Sequence, residues 1–378
     1  MKTVLVTGGA GFIGSELVKH LHNKGCRVLV LDSLTEQVHG LDPKSTSATF
    51  AKIQEFCEFF QGDVRDRNMV RKLVAQSDVV VHLAAETGTG QSMYAISNYC
   101  DVNIQGTAIL LEEIFSCPRK IEKIVVASSR AIYGEGKYSC VSHGDFFPEM
   151  RLDHDMAKGV FDPLCPKCHE PGMAVPTTED SPAKPQSIYG ITKLTQEELV
   201  IKGARAAQIP AIALRFQNVY GPGQSLSNPY TGILSIFSTR ARNNNSINIF
   251  EDGLESRDFV YIDDVVESLS LAVFSNLKSQ EVFNVGSGKS TSVKMVVEKI
   301  VGFFNASSTI SVTGAYRVGD IRHNMADLSK AKRILGFEPK VEFSEGVVKF
   351  LTWALKQESV KDDYEKSLKE LKDRGLLK

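Results

Sequence analysis

The first third of the chain alternates short apolar runs with longer stretches of helical spacing. Residues 2–7, 27–32, 58–62, 78–84 and 123–128 are apolar at successive positions rather than at every second one. That is the pattern of short strands covered on both faces. Between them, 11–23, 66–76 and 99–115 repeat apolar residues at helical spacing and predict helices. A βαβαβ succession of this kind predicts an α/β Rossmann body, a doubly wound parallel sheet with right-handed crossovers. The pattern breaks at Gly134. From there to Pro185, seven of the thirteen prolines and scattered glycines interrupt any period, so 134–185 reads as an insertion. Regularity resumes with a helix over 187–207 and a strand over 211–215, which closes a body spanning 1–215. A smaller, interleaved mixed α/β lobe is expected over 216–357, with short strands at 257–262 and 282–285. Residues 358–378 are mostly charged and helical in propensity, which predicts a solvated helix or a frayed tail.

Composition narrows the class. Of 378 residues, 42% are hydrophobic and 24% charged, which excludes wholesale disorder. With 44 Lys+Arg against 45 Asp+Glu, no basic excess points to a nucleic-acid partner. No run approaches the ~20 apolar residues of a membrane span, and residues 1–9 are a strand running into glycines rather than a signal peptide. A cytoplasmic protein with no membrane partner is expected. Seven cysteines leave one odd, which suits free thiols or metal ligation better than a disulfide framework.

Candidate chemistry begins where the first strand ends. Gly8, Gly11 and Gly14 are spaced as glycines must be where a backbone turns tightly, meets a pyrophosphate and packs a helix on a strand. Asp32 closes the second strand, where a carboxylate accepts both ribose hydroxyls of an adenosine and repels a 2′-phosphate. The pairing favours NAD over NADP. Asp63 and Val64 would end the third strand beside the adenine. Further on, Tyr189 and Lys193 are four residues apart and share a helix face. There an ammonium can lower the phenol toward neutrality and make it a base. A serine hydroxyl from the 128–129 pair would hold the substrate oxygen that loses its proton.

With these motifs the sequence resembles the extended short-chain dehydrogenase/reductase family, specifically its nucleotide-sugar epimerases and dehydratases. The likeness covers residues 1–355 apart from the insertion. It rests on 7–14 (including Phe12 and Ile13), Asp63-Val64, His82-Leu83-Ala84-Ala85, Asn103, Ser129, Tyr189/Lys193, Asn218 in Asn218-Val219-Tyr220-Gly221-Pro222, Arg257-Asp258-Phe259-Val260 and Arg317-Val318-Gly319-Asp320. The resemblance implies that Ser129, Tyr189 and Lys193 are catalytic. It implies that Leu83, Ala84, Ala85, Asn103 and Ser128 join the glycine loop around the cofactor. Thr87, Ser129, Asn218, Arg257 and Arg317 would hold a nucleotide-diphosphate sugar, arginine being apt for bidentate pyrophosphate contacts. A homodimer through the 99–116 and 187–206 helices is implied as well.

The family's branches diverge at the two residues after the catalytic Ser/Thr, where dehydratases place Asp-Glu. Here Arg130 and Ala131 stand there, and neither shuttles a proton at neutral pH. What remains is oxidation and re-reduction at C4, a 4-epimerase acting through a 4-keto intermediate. The alternatives are a 4,6-dehydratase with a relocated acid, a 4-keto-sugar reductase and, from another class, a non-catalytic NAD-binding scaffold. The 86–94, 128–136 and 227–232 runs resemble the branch acting on dTDP-6-deoxyhexoses such as dTDP-L-rhamnose.

The insertion carries its own signal. Cys140-Val141-Ser142-His143 and Cys165-Pro166-Lys167-Cys168 are two knuckles whose spacing fits one tetrahedral zinc. Four protein ligands leave no open position, so the zinc would be structural, a staple for a segment too short to build a core.

Overall fold

The computed structural model describes residues 1–226, 228, 230, 232–358, 362 and 364–378. Ser227, Pro229 and Thr231, from one of the runs that carries the resemblance, and 359–361 and Asp363 of the tail lie outside the described residues. Seven parallel strands form the central sheet: β1 (Thr3–Thr7), β2 (Arg27–Asp32), β3 (Glu58–Gln61), β4 (Val79–His82), β5 (Lys123–Ser129), β6 (Ala211–Phe216) and β7 (Gln280–Val285), in the order β7-β6-β5-β4-β1-β2-β3. Alternate residues of each strand feed two cores. Val4, Val6, Val28, Val30, Val79, Val81 and Val125 face one side. Leu5, Leu29, Leu31, Val80, Ile124 and Val126 face the other, against the helices Arg67–Val74, Gly106–Ser116 and Ile188–Ala206. Burial on both faces explains why these strands lack polar alternation.

Three elements differ from the sequence expectation. The strand at 282–285, read with the second lobe, is β7 and extends the central sheet by pairing with β6. Long-range pairing, invisible to local pattern, places it there. The 58–62 segment is the edge strand β3, its two end residues exposed, rather than a strand buried on both faces. The tail is amphipathic rather than wholly solvated or frayed. Its helix, Tyr364–Asp373, buries Tyr364, Leu368 and Leu371 against Tyr94, Ile236 and Phe250. The chain end is stitched to the lobe by Tyr316 N donating to Lys378 O and Val318 N donating to Leu376 O, at 2.9 and 3.0 Å.

The lobe pairs Asn218–Tyr220 with Ser256–Tyr261 in parallel, and the latter with Ser290–Ser292 antiparallel. The insertion builds a three-stranded antiparallel sheet from Tyr138–Cys140, Gly144–Phe146 and Met173–Ala174. It is joined to the lobe by buried charge. Arg151 meets Glu135 at 3.0 Å and Glu251 at 2.9 Å, while Arg322, 1% exposed, meets Asp162, Glu251 and Asp252. Such pairs fix register well but add little net stability. Among the described residues, no helix is long and apolar enough to cross a membrane.

Candidate active site

The strand order reverses between β4 and β1, and ligands of doubly wound sheets bind outside the carboxyl ends at such a switch point. A cavity of about 1440 Å³ opens there and runs on into the lobe. This exceeds the ~300–1,000 Å³ of a single small-molecule pocket and leaves room for two ligands end to end.

At one end, β1 turns through the glycines into the helix Phe12–Asn23, where Phe12 and Ile13 also line the cavity. A Cβ on Gly14 would lie 2.2 Å from the Gly8 carbonyl oxygen, and one on Gly8 would lie 2.7 Å from Ala84 N. Gly8 also has φ +72°, so the loop admits no side chain at either position. Asp32, at the end of β2, accepts hydrogen bonds from Ala10 N and Leu34 N, each at 2.9 Å. This fixes the loop and presents the carboxylate to the cavity. Asp63 and Val64 follow β3, and Arg65 clasps the Asp63 carboxylate and holds it below its ordinary pKa. Leu83, Ala84 and Ala85 follow β4, with Thr87 beyond them. The glycine cradle, the carboxylate at β2 and the small residues after β4 fit a dinucleotide.

Asn103 is not on the cavity wall. It is fully buried, accepts from Glu86 N at 2.7 Å, and spends both amide hydrogens on Glu86 O and Thr192 Oγ1. With its donors consumed, it props the segment after β4 and cannot donate to a cofactor, contrary to the direct contact implied by the resemblance.

The reacting end is built where β5 stops. Ser128 and Ser129 line the cavity; Ser128 Oγ is buried with no hydrogen-bond partner among the described residues, and Ser129 Oγ accepts from Ala131 N at 3.1 Å. Ser187 caps the helix Ile188–Ala206 by accepting from Gly190 N. The first two turns of that helix bring Tyr189 and Lys193 to the same wall. Burial pushes the Tyr189 phenol up, while the Ser129 hydroxyl and the Arg130 guanidinium pull it down. The Lys193 Nζ donates to Gln196 Oε1, and burial brings the ammonium down to about 7.

Sequence reasoning overlooked the network behind Lys193. Gln196 Nε2 reaches His82 Nε2 at 3.0 Å and Thr107 Oγ1 at 2.9 Å, and His82 Nδ1 lies 2.7 Å from Thr7 Oγ1. Burial, with Lys193 nearby, lowers His82 to about 3 and keeps it neutral. The available signal was Gln196 itself, three residues past Lys193 on the same helix face.

Asn218, Arg257 and Arg317 line the lobe end. Arg317 stacks 4.9 Å from the Phe250 ring centroid and lies 3.8 Å from Asp320. The tail contributes Tyr364, Ser367, Leu368 and Leu371 to the same wall.

Away from the cavity, Cys140, His143, Cys165 and Cys168 place all four ligand atoms within 4.8 Å of one another. Cys140 Sγ lies 3.6 Å from Cys168 Sγ and 3.7 Å from His143 Nδ1, which is 3.6 Å from Cys165 Sγ. A tetrahedron with metal–sulfur bonds of about 2.3 Å has edges of about 3.8 Å, close to these three separations, so the donor set suits a tetrahedral zinc. His154 and His169 are outside it.

Comparison with known proteins accords with this geometry. Residues 4–286 match the model of the NAD dependent epimerase/dehydratase family. A dTDP-L-rhamnose 4-epimerase of Burkholderia thailandensis is 36% identical over 356 residues, 93% of this chain and 94% of that protein. Among solved structures, the UDP-glucose 4-epimerase of Thermotoga maritima with UDP-glucose superposes with a TM-score of 0.75 at 29% identity, covering 94% of this chain and 99% of that one. The UDP-glucuronic acid 4-epimerase of Bacillus cereus, solved with UDP-glucuronic acid and NAD, gives 0.75 at 26% identity, covering 93% and 98%. From the glycine cradle at β1 to the Tyr189 helix, the matched segment spans most of the chain, which belongs to the NAD dependent epimerase/dehydratase family.

Proposed function

We propose that the protein is an NAD-dependent nucleotide-sugar 4-epimerase working through a 4-keto sugar, with a dTDP-6-deoxyhexose such as dTDP-L-rhamnose as substrate. One observation carries the reaction type: Tyr189 and Ser129 face the cavity, while Arg130 and Ala131 occupy the positions where an elimination would need a second acid and base. The identity to the B. thailandensis enzyme supports the sugar.

NAD, when bound, supplies a reversible acceptor for the C4 hydride. Gly8, Gly11, Phe12, Ile13 and Gly14 would hold its pyrophosphate, Asp32 its adenosine ribose, and Asp63, Val64, Leu83, Ala84, Ala85 and Ser128 its flanks. Tyr189, as phenolate, takes the sugar 4-hydroxyl proton and later returns it to the same oxygen. Ser129 donates to that oxygen and keeps it beside the base. Lys193, held by Gln196, would serve the same wall. Between the two half-reactions the 4-keto ring would turn about its diphosphate linkage, so that C4 would take the hydride back on its other face while Tyr189 returns the proton to the same oxygen, and no further acid or base is needed.

The test is incubation with dTDP-L-rhamnose without added nicotinamide, followed by proton NMR. The C4 epimer, with no lasting reduced-nicotinamide absorbance, is expected; a 4-keto-6-deoxy product would instead establish a dehydratase. Tyr189→Phe should lose about 10²- to 10⁴-fold in kcat with NAD retained.

For the insertion, the proposed ligand is one structural zinc held by Cys140, His143, Cys165 and Cys168. A homodimer is proposed through the helices Gly106–Ser116 and Ile188–Ala206, where Phe115 and Ile191 are exposed; sedimentation velocity would give the mass of two chains.

A further inference from the structure

Arg257 holds the position that motif resemblance assigns to the diphosphate clamp, yet its hydrogens are spoken for. Nη1 donates to Ser256 O and Arg322 O, each at 2.9 Å. Nη2 donates to Ile321 O at 2.8 Å and to Asp320 Oδ1 at 3.2 Å. A guanidinium has five N–H groups, so only Nε is left. Arg257 is a brace for the 320–322 segment.

Arg130 is the reverse case. It lies on the cavity wall directly after Ser129, and Nε donates to Asn218 Oδ1 at 2.8 Å. Among the described residues, neither terminal nitrogen has a protein acceptor, and no carboxylate comes within ion-pair distance. Its electrostatic neighbours are Arg257, which opposes its charge, and Asp320, Tyr189 and Glu135, which favour it. A desolvated cation with no directly bonded carboxylate is costly, and a planar fork whose terminal nitrogens have no bonded acceptor among the described residues matches a phosphate. Its place on the cavity wall, next in sequence to Ser129 and bonded to Asn218, selects which phosphate. In a nucleotide sugar bound with C4 at Tyr189, the anionic group one ring away is the phosphate on the anomeric oxygen.

We propose that Arg130 is a substrate-binding residue whose terminal guanidinium nitrogens grip the sugar-proximal phosphate of the nucleoside diphosphate, with Asn218 orienting it and Arg257 serving as scaffold. This rests on the nucleotide-sugar reading above. The residue that removes dehydratase chemistry from the site thereby acquires a role in anchoring the linkage about which the ring turns.

Calorimetric titration of the NAD-containing protein with dTDP, UDP, dTMP and UMP tests it, because only the diphosphates carry the phosphate concerned. Arg130→Met is expected to weaken the tighter-binding diphosphate about 10- to 100-fold, and its monophosphate by less than about threefold. Arg130→Lys, which keeps the charge without the fork, should fall between, and it decides the matter should the Met variant fail to fold or to retain NAD. Unchanged diphosphate affinity in a folded variant, with loss confined to the nucleotide sugar, would overturn the proposal and assign Arg130 to the sugar ring. A wild-type protein that binds neither diphosphate would instead sink the nucleotide-sugar reading itself.

Discussion

The Tyr230 hydroxyl donates to the Glu370 carboxylate at 2.6 Å, and this contact fastens the last helix over the cavity. Tyr94 joins it, reaching the same carboxylate oxygen at 3.1 Å while Arg374 stacks 4.2 Å from the Tyr94 ring centroid. Glu370→Ala leaves two half-buried phenols without their charged acceptor and loosens the wall formed by Leu368 and Leu371. Hydrogen bonds to a charged group contribute about 1.5–3 kcal/mol. KM for the nucleotide sugar should therefore rise about tenfold, with bound NAD and kcat little changed. Steady-state kinetics with NAD quantified after denaturation would check it; an equal fall in NAD content would mean that the helix supports the whole fold.

Why the tail was misread is instructive. Its composition is that of a solvated helix, but Tyr364, Leu368 and Leu371 recur at i, i+4 and i+7, a stripe as regular as those of the sheet-covering helices. Charge content masked periodicity. The central strands were legible because apolar residues on both faces leave few alternatives, and the Cys/His cluster because ligand chemistry fixes short spacings. Arg257 was legible only as an arginine. That its donors go to the carbonyls of Ile321 and Arg322, besides that of its neighbour Ser256, depends on a chain approach more than sixty residues distant in sequence. Asn103 illustrates the same limit, its amide exhausted by Glu86 and Thr192.

The electrostatics of Tyr189 give a pH prediction with a definite sign. Burial opposes phenolate formation, and Ser129 and Arg130 favour it. Ser129→Ala removes one favourable interaction, so the pKa of the base rises. The alkaline-rising limb of log kcat against pH should move to higher pH, and the rate at neutral pH should fall. Arg130→Met should move the limb the same way. A limb that stays put in both variants would show that another group sets it.

The proposed zinc site predicts a metal-dependent stability with little effect on cofactor binding, since Cys140, His143, Cys165 and Cys168 stand apart from the cavity wall. Purified protein should carry one zinc per chain by plasma mass spectrometry. Cys165→Ser combined with Cys168→Ser should abolish it and lower Tm by about 5 °C, the equivalent of a few kcal/mol for a chain of this size. Bound NAD should persist. Full-length protein that contains no zinc when expressed in zinc-replete medium would refute the assignment.

Two glycines separate a functional constraint from a conformational one. At Gly14 an added Cβ would meet the Gly8 carbonyl oxygen at 2.2 Å and Gly9 Cα at 2.7 Å. Both are backbone atoms of the loop that would cradle the pyrophosphate, so they cannot yield by a rotamer change, and overpacking of this kind costs about 1–3 kcal/mol. Gly302, inside the helix Val293–Phe304, would place its Cβ in open space. Gly14→Ala should therefore yield protein depleted of NAD and less stable, whereas Gly302→Ala should gain about 0.5–1 kcal/mol from reduced unfolded-state entropy. Chemical denaturation with NAD content measured on both variants would check this. Stabilisation without cofactor loss in Gly14→Ala would mean that the loop can shift at position 8, and the close approach of Gly8 to Ala84 N argues that it cannot.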